Sequence, residues 1–465
     1  MMAFKDLIKR YKQSGTVSDL TRFALSDKAI LLQFALASVI VLTDYQINGV
    51  AIFGFIGVGM LILTSSILTL LAPILFASVF ATALYDSAEK FTSFIIPEAV
   101  IIILSLVFHF AVYCRRPRIG RSFKGLLAVG IATLLGGVGT ISIGEYFAPS
   151  TLYYTVFLGF GMAGIYIALS CLSIEKEDLD VFERFAFIMY MTGIFACFNV
   201  LSYYLDSFRE IMASPRILDF QASNNLATFI MISLPFPCLF ALKAKGIKRS
   251  IHLFSFAAMY IFLILTGSGG GALMGSIQIV FIGLYLGVYI TGSKKAAVIS
   301  IAAALLTSIL ALIFYLTQSG LSSVSELFYS NNMRISLFKR SLSDFLDNPV
   351  FGKGIGYLGN TDIYSPKSGA MNWYHMMLPQ IIGSMGSLGI LCYGYQLIIR
   401  VKLVFSNIDP YSLCLALSYL GLFLMSQVNP GEFCPIPYSL IAVITFKIIE
   451  DHKEYKNAHP YLSKS

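Results

Sequence analysis

The stretch Ala296-Ala-Val-Ile-Ser-Ile-Ala-Ala-Ala-Leu-Leu-Thr-Ser-Ile-Leu-Ala-Leu-Ile-Phe-Tyr-Leu316 contains no charged residue, and it decides the class of the protein. A helix of about 20 apolar residues crosses the roughly 30 Å hydrocarbon core of a bilayer. A membrane β-barrel would show alternating segments of about 10 residues instead. The stretch therefore predicts a membrane-spanning helix.

The composition extends this prediction to the whole chain. Its 465 residues are 57% hydrophobic and 12% charged, with a mean hydropathy of +0.77. Soluble domains usually carry about 25% charged residues. We predict an all-α, polytopic transmembrane helical bundle with about fourteen spans that forms a single domain over residues 1–465. Three spans are expected between residues 29 and 85, and the others at about 96–113, 125–143, 151–174, 184–205, 225–242, 251–267, 272–291, 296–316, 374–399, 410–428 and 435–449.

The basic residues predict the orientation. With a cytoplasmic N-terminus, 25 of the 33 lysines and arginines fall in inner segments and eight in outer ones. Cytoplasmic segments of membrane proteins hold such an excess. We therefore expect both termini inside and the long segment 317–373 outside. Residues 3–12 form either an amphipathic helix on the inner leaflet or a solvated basic tail.

Several classes of ligand are not expected. The net charge is +8. In a membrane protein the positions of the basic residues matter more than their sum, so this charge does not predict nucleic acid as a partner. The seven cysteines are scattered without a CxxC pair, which indicates neither a disulfide framework nor a metal site. No nucleotide-binding loop occurs, and no cofactor is predicted.

The segment 317–373 is the long stretch of the chain that is not apolar. Within it, helical spacing connects Ile335, Phe338, Leu342 and Phe345, and Asp347-Asn-Pro349 provides a stop. We expect a half-buried amphipathic helix on this outer loop. Arg334 would lie near its N-terminus, where unpaired backbone donors favour an anion.

Cations on the predicted outer side are scarce and therefore informative. They are Lys90, Arg209, Arg216, Arg334, Lys339, Arg340, Lys353 and Lys367. Arginine held near apolar spans suits a two-pronged grip on phosphate oxygens. The alternative is that these side chains form ion pairs with nearby acids or touch lipid headgroups. Those acids are Asp206, Glu210, Asp219, Asp344 and Asp347.

Two further ionisable residues lie at predicted outer span ends. His375 could act as a general base or bind a sugar hydroxyl, although Trp373 and Tyr374 beside it also suit a purely interfacial role. Glu432 ends the neighbouring span. The glycines of the run Gly352, Gly354, Gly356 and Gly359 allow either close approach to a ligand or a tight turn, and a plain loop is favoured.

The order of these features resembles the shared region of the O-antigen polymerase and O-antigen ligase superfamily, whose members are integral membrane enzymes of GT-C-like plan. The similar residues are Arg334, Asp347-Asn-Pro349-Val-Phe-Gly352-Lys-Gly354-Ile-Gly356, His375 and Gly383-Ser-Met-Gly386-Ser-Leu-Gly389, together with the upstream stretches Arg216 to Ala227 and Thr266 to Ala272. Two positions depart from the family pattern. Gly269 stands where the family often has arginine, and Met376 follows His375 where asparagine is frequent.

The resemblance implies a metal-independent glycosyltransferase of the bacterial inner membrane. Such an enzyme transfers a glycan from polyprenyl (undecaprenyl) pyrophosphate to a sugar hydroxyl on the outer side. It implies His375 as the base, with Arg216 and Arg334 on the leaving diphosphate. Residues expected to bind the lipid-linked oligosaccharides are Arg340, Lys353, Arg209, Asn224 and Glu432. Membrane lipids and a chain-length regulator protein are the other candidate partners.

Polymerase is favoured within this family, with a second lipid-linked repeat unit as acceptor. The first alternative is an O-antigen ligase, whose acceptor is lipid A core. A polysaccharide flippase has a similar number of spans but places its charges within its two halves. A peptidoglycan-type polymerase relies on an acidic loop residue, which Asp344 or Asp347 could imitate.

Overall fold

The computed structural model describes the chain in thirteen segments. They are residues 15–83, 88–114, 116–138, 155–171, 181–213, 216–218, 223–291, 293–319, 332–355, 374–406, 408–429, 431–433 and 436–458. Every regular element in these segments is a helix, as the sequence predicted. The proposed helix at residues 3–12, and the residues Trp373, Lys367, Gly356 and Gly359, lie outside them.

The chain divides into two compact units. The first comprises residues 1–117 and 170–268, and the second residues 118–169 and 269–465. The helices of the first unit are α1 (Gly15–Ala24), α2 (Asp27–Leu42), α3 (Gln46–Leu63), a 3₁₀ turn (Ile67–Leu70), α4 (Leu71–Ala83) and α5 (Ala88–Tyr113). In the second unit, α6 (Ser122–Leu135) and a π-helix (Thr155–Gly161) follow, and α7 (Met162–Cys171) runs to the boundary.

The chain then returns to the first unit and ends in the second. The first unit adds α8 (Val181–Asp206), α9 (Phe208–Ala213), α10 (Ser223–Ser233), α11 (Pro235–Lys243) and α12 (Gly246–Leu265). The second unit ends with α13 (Gly269–Thr291), α14 (Lys294–Ser319), α15 (Asn332–Asp347), α16 (Met377–Phe405), α17 (Pro410–Met425) and α18 (Ile436–Ala458). That the whole chain is one domain stays a prediction.

Length and composition identify candidate membrane spans among the described residues. Seven helical stretches qualify: Gln46–Leu63, Val181–Asp206, Ser223–Lys243, Gly246–Leu265, Gly269–Tyr289, Lys294–Ser319 and Met377–Phe405. An eighth results if α1 and α2, bent by 66° at their junction, count as one span. Each predicted apolar stretch contains a helix, but several of these helices are short. The chain is therefore helical with several candidate spans, and the number fourteen stays a prediction.

Aromatic rings form the centre of the first unit. Phe195 of α8 has no exposed surface and contacts Phe34, Phe76 and Phe80 edge to face, with centroid distances of 6.1, 5.2 and 5.4 Å. Edge-to-face pairs add to the free energy gained from burial. These rings join α2, α4 and α8 into one core.

Small residues bring α13 and α14 of the second unit together. A Cβ on Gly287 would lie 2.5 Å from the Cα of Ala297, and one on Gly283 would lie 2.7 Å from the Cβ of Ala304. Close approach through small residues is typical of helices that associate in lipid. The opposite face of α14 exposes Ile299 and Leu306. That face suits contact with hydrocarbon.

We expect Phe195→Ala to destabilise the protein by about 3–5 kcal/mol, because it removes a fully buried ring from the aromatic core. Leu306→Ala is the matched control on the exposed face of α14, and its effect should stay below about 1 kcal/mol. Denaturant unfolding in detergent measures both. Equal losses from the two variants would contradict the assignment of core and lipid faces.

Candidate functional site

The helix α15 carries the first candidate residue, Arg334, in its first turn. The predicted helix and its end at Asp347 are confirmed. The side chain of Arg334 is partly buried, and this burial lowers the pKa of its guanidinium, which nevertheless stays protonated at neutral pH. A desolvated guanidinium binds an anion more strongly than one in water.

The buried face of α15 differs from the predicted one. Phe338 and Leu342 are 41% and 39% exposed, whereas Ser341 and Asp344 are buried. The prediction that the apolar stripe faces the protein is therefore wrong for these two residues. The polar face is buried because Asp344 finds hydrogen-bond partners there, and the apolar stripe can instead face lipid.

The glycine-rich turn after α15 is inserted into a break in α16. The break is at Gly386, with φ of 59° and ψ of −148°. Backbone hydrogen bonds cross the junction from Lys353 N to Gly383 O (2.8 Å), Gly354 N to Ser384 O (2.9 Å), Ser387 N to Pro349 O (2.8 Å) and Leu388 N to Val350 O (3.1 Å). The turn thus supplies the bonds that the interrupted helix cannot make within itself.

Glycine is required on both sides of this junction. Gly352 has φ of +63°, and a Cβ there would lie 2.5 Å from the backbone nitrogen of Met385. A Cβ on Gly386 would lie 2.7 Å from the carbonyl oxygen of Pro349. The close approach that the sequence suggested is therefore made to the protein's own backbone. Contact with a ligand is not needed to explain Gly352.

His375 lies immediately before α16 in a left-handed conformation, with φ of +53°. This conformation costs a residue with a side chain about 1–2 kcal/mol. The backbone on both sides is held by hydrogen bonds, from Tyr374 N to Gln380 Oε1 (3.0 Å) and from Met377 N to Ser426 O (2.7 Å). Strain that is held in this way is concentrated at functional sites in proteins.

The structure brings His375 and Arg334 together within the second unit. Burial and, to a smaller extent, the nearby charge of Arg334 together lower the pKa of His375 to about 4. His375 is therefore neutral at pH 7, so that one ring nitrogen carries a lone pair. A neutral imidazole beside a guanidinium can accept a proton while the guanidinium binds an anion.

The cations Arg340 and Lys353 both have acidic partners. The Nε of Arg340 lies 3.2 Å from Asp344, and the Nζ of Lys353 lies 3.3 Å from Asp347. These are ion pairs that the sequence left open as the alternative to substrate binding. Their contact with a substrate stays a prediction.

Arg216, Arg209 and Asn224 belong to the first unit. Arg216 is exposed and lies 3.5 Å from Glu210, and Arg209 is exposed on α9. Asn224, in the first turn of α10, accepts a hydrogen bond of 2.6 Å from the hydroxyl of Ser268. Both upstream stretches that the resemblance named therefore meet here.

A second observation also shows that these two stretches contact each other. Gly267 has φ of +73°, and a Cβ there would lie 2.3 Å from the carbonyl oxygen of Leu218. The segment that follows Arg216 thus packs on the break before α13. Arg216 is exposed, whereas Ser223 at the N-terminus of α10 is buried.

Glu432 lies in the interior of the second unit. Its carboxylate accepts hydrogen bonds from the guanidinium of Arg400 and from the hydroxyl of Tyr419, and both charged side chains are buried. Residues in direct contact lie at similar depths in a membrane. The prediction that Arg400 lies on the inner side and Glu432 at an outer span end is therefore wrong for one of the two residues. The pair joins the loop after α17 to α16, and binding of a substrate by Glu432 stays a prediction.

Two residues that hold this site together were not predicted in that role. Tyr374 was considered only as an interfacial aromatic, and Asp344 as an ion-pair partner or as the acidic residue of a peptidoglycan-type polymerase. In the structure, the hydroxyl of Tyr374 donates a hydrogen bond to Asp344, and both side chains are buried. The two residues are separated along the chain, and no periodic pattern connects them.

Comparison with known proteins adds no identification. No model of a known protein family matches the chain, and no curated protein matches it either. The candidate site must therefore be judged by its own geometry.

We expect Gly352→Ala to disrupt the junction and to separate α15 from α16. The change adds a steric clash to an unfavourable φ, which together cost more than about 2 kcal/mol. Gly246→Ala is the matched control, since Gly246 has φ of +57° but no neighbouring atom within 4 Å of a Cβ. It should cost about 1 kcal/mol. Thermal unfolding in detergent distinguishes the two, and equal midpoints would contradict the inserted turn.

Proposed function

We propose that the chain is a polysaccharide polymerase of the bacterial inner membrane. It transfers a glycan from polyprenyl (undecaprenyl) pyrophosphate to a sugar hydroxyl of a second lipid-linked repeat unit. The proposal includes about fourteen spans, with both termini in the cytoplasm. The segment 317–373 then faces outward, where nucleotide sugars are absent and the lipid diphosphate bond supplies the energy.

One observation carries the proposal: a neutral, half-buried imidazole lies near a half-buried guanidinium in the first turn of α15. Glycosyl transfer from a diphosphate needs a group that takes the acceptor proton and a positive charge that stabilises the leaving group. His375 and Arg334 are chemically suited to these two tasks. The candidate spans of the same unit suit a donor with a lipid tail.

The proposed reaction is a single transfer with a balanced course. The acceptor hydroxyl oxygen forms a bond to the anomeric carbon, and the bond from that carbon to the diphosphate oxygen breaks. The hydroxyl proton passes to His375, and the electron pair of the broken bond stays on the diphosphate. Arg334 stabilises this growing negative charge, and the role of Arg216 on the diphosphate stays a prediction from the resemblance.

The donor itself would improve the base. In the protein alone, His375 has a pKa of about 4 and is a weak proton acceptor. An anionic diphosphate bound to Arg334 offsets the positive charge that disfavours protonation of the imidazole. The pKa of His375 then rises toward the working pH, where a general base is more effective.

An O-antigen ligase would use the same two residues with lipid A core as the acceptor, so the acceptor alone separates it from the polymerase. A flippase needs neither a proton acceptor nor a positive charge that stabilises a leaving group. The peptidoglycan-type mechanism needs an available carboxylate in the loop. Asp344 is buried and bonded to Tyr374 and Arg340, which argues against that role for this residue.

Purified protein in lipid nanodiscs tests the proposal directly. Incubation with a synthetic polyprenyl-pyrophosphate-linked repeat unit and EDTA should produce a ladder of glycans on a gel. Replacing the acceptor by lipid A core tests the ligase alternative in the same assay. A flippase would produce no ladder with either acceptor.

We expect Arg334→Ala to reduce the rate of chain extension about a hundredfold or more, because the charge on the leaving diphosphate loses a stabilising donor. Arg216→Ala should reduce it in the same way. Lys339→Ala is the matched control, since Lys339 is an exposed cation on the same helix. Full-length polymer from both arginine variants at normal protein levels would refute the diphosphate clamp.

The pH dependence tests the role of His375. The imidazole must be deprotonated to accept a proton, so activity falls as the pH drops through its pKa. For the free enzyme, reported by kcat/KM, the acidic fall should lie near pH 4. For the donor complex, reported by kcat, it should lie at higher pH. His375→Ala should lower kcat about a hundredfold and remove this fall. Near-normal product from this variant would leave His375 with an interfacial role.

A further inference from the structure

We propose that Tyr374 and Asp344 are positioning residues whose hydrogen bond ties the helix that carries Arg334 to the backbone that carries His375. This inference rests on the proposed function, because the two residues would position His375 as the base and Arg334 as the residue that binds the diphosphate. Neither side chain is proposed to touch the substrate.

The first part of the argument is the place of Asp344 on α15. Asp344 lies on the buried face of the helix and is 1% exposed. Its two carboxylate oxygens have separate partners, since Oδ2 accepts from the hydroxyl of Tyr374 and Oδ1 lies 3.2 Å from the Nε of Arg340. A buried carboxylate with two donors is held in one orientation. It therefore fixes α15 relative to Tyr374.

The second part is the immobility of Tyr374. Its side chain is 3% exposed, and its backbone nitrogen donates to Gln380 of α16. The amide of Gln380 in turn donates to Ser384 at 2.7 Å. The ring lies against Gly383, where a Cβ would be only 2.6 Å from it. Backbone, hydroxyl and ring are thus all held in place.

The third part is the link to His375. Tyr374 precedes it directly, and His375 has the left-handed backbone that its neighbours must hold. The inserted turn fixes the C-terminal end of α15 to α16, but Arg334 lies at the opposite end of that helix. The Asp344 contact adds a side-chain attachment in the last turn of α15 and joins that turn directly to the residue before His375. Loss of the contact leaves the helix held by the turn alone, so that its Arg334 end can shift relative to His375.

The elements near His375 carry several charged groups. Among the described residues, they are Arg334, Lys339, Arg340, Asp344 and Asp347 on α15 and Lys353 in the turn. The loop after α17 contributes Glu432, whose charge is paired with Arg400. Arg334 is the charge that lowers the pKa of His375. A displacement of Arg334 should therefore raise that pKa.

Tyr374→Phe tests the proposal with the loss of one oxygen atom. In ligand-free protein labelled at histidine, NMR titration in nanodiscs gives the pKa of each of the five histidines, and His375→Gln assigns the signal. The pKa of His375 should rise in Tyr374→Phe and in Arg334→Gln. In the double variant it should rise no further than in Arg334→Gln alone, because the hydroxyl acts through Arg334.

Two further variants complete the experiment. Tyr285→Phe is the matched control, since its hydroxyl donates to the carbonyl of Pro410 within the same unit. It should leave the pKa of His375 unchanged. Asp344→Asn keeps an acceptor oxygen for Tyr374, so it should give a smaller rise than Tyr374→Phe. It also serves if Tyr374→Phe does not fold.

Kinetics provides the second measurement. Tyr374→Phe should lower kcat about tenfold to a hundredfold with little change in KM, because misplacement of reacting groups affects the transition state. An unchanged pKa in Tyr374→Phe, or an additional rise in the Arg334→Gln background, would overturn the inference. If this happens while His375→Ala abolishes product, the proposed function stands without it. If wild-type protein makes no ladder although the pKa moves, the proposed function fails, and the positioning role fails with it.

Discussion

A broken helix inside an apolar protein leaves backbone groups that need hydrogen bonds, and the second unit depends on how this need is met. The break in α16 is filled by the turn after α15, which exchanges four backbone hydrogen bonds with it. Unsatisfied backbone groups cost several kcal/mol each where water is absent. The turn is therefore held in one register. This register fixes the C-terminal end of α15 against α16, and it thereby influences the position of Arg334 on that helix.

The polar groups of the site are arranged around this scaffold. Asp344 faces the protein because Tyr374 meets it there, and Phe338 and Leu342 of the apolar stripe are exposed. His375 occupies an unfavourable backbone conformation between two fixed neighbours. The combination keeps an imidazole neutral and a guanidinium charged in one partly desolvated place. This is the arrangement that proton abstraction next to an anionic leaving group requires.

Much of the fold was predictable, because hydropathy and helix stops act locally. The apolar stretch from Ala296 to Leu316 lies within α14, and the Asp347-Asn-Pro349 stop ends α15 as expected. The buried face of α15 was not predictable, because it depends on Tyr374, which is distant in sequence. The Arg400–Glu432 pair was missed for the same reason, since the two residues were assigned to opposite sides.

The candidate site was predictable in part. Arg334 and His375 stood out because ionisable residues are rare in so apolar a chain, and the structure places them near each other. For the glycines of the turn, the sequence left open whether they approach a ligand, form a tight turn or belong to a plain loop. Their packing against α16 can be recognised only when the break in that helix is known. Arg216, Asn224 and Ser268 form a second group in the first unit, with their own local contacts.

The way in which the break is filled also limits how an anion can be held. In many transporters, a discontinuous helix offers the positive end of a half-helix dipole to an anionic substrate. Here the half-helix that starts after Gly386 has its first amides, those of Ser387 and Leu388, already bonded to the carbonyls of Pro349 and Val350. Those two amides are therefore occupied by the protein's own backbone and are not free to bind an anion. In this respect the interrupted helix differs from the half-helix ends of transporters, and side chains such as Arg334 are the better candidates for binding negative charge.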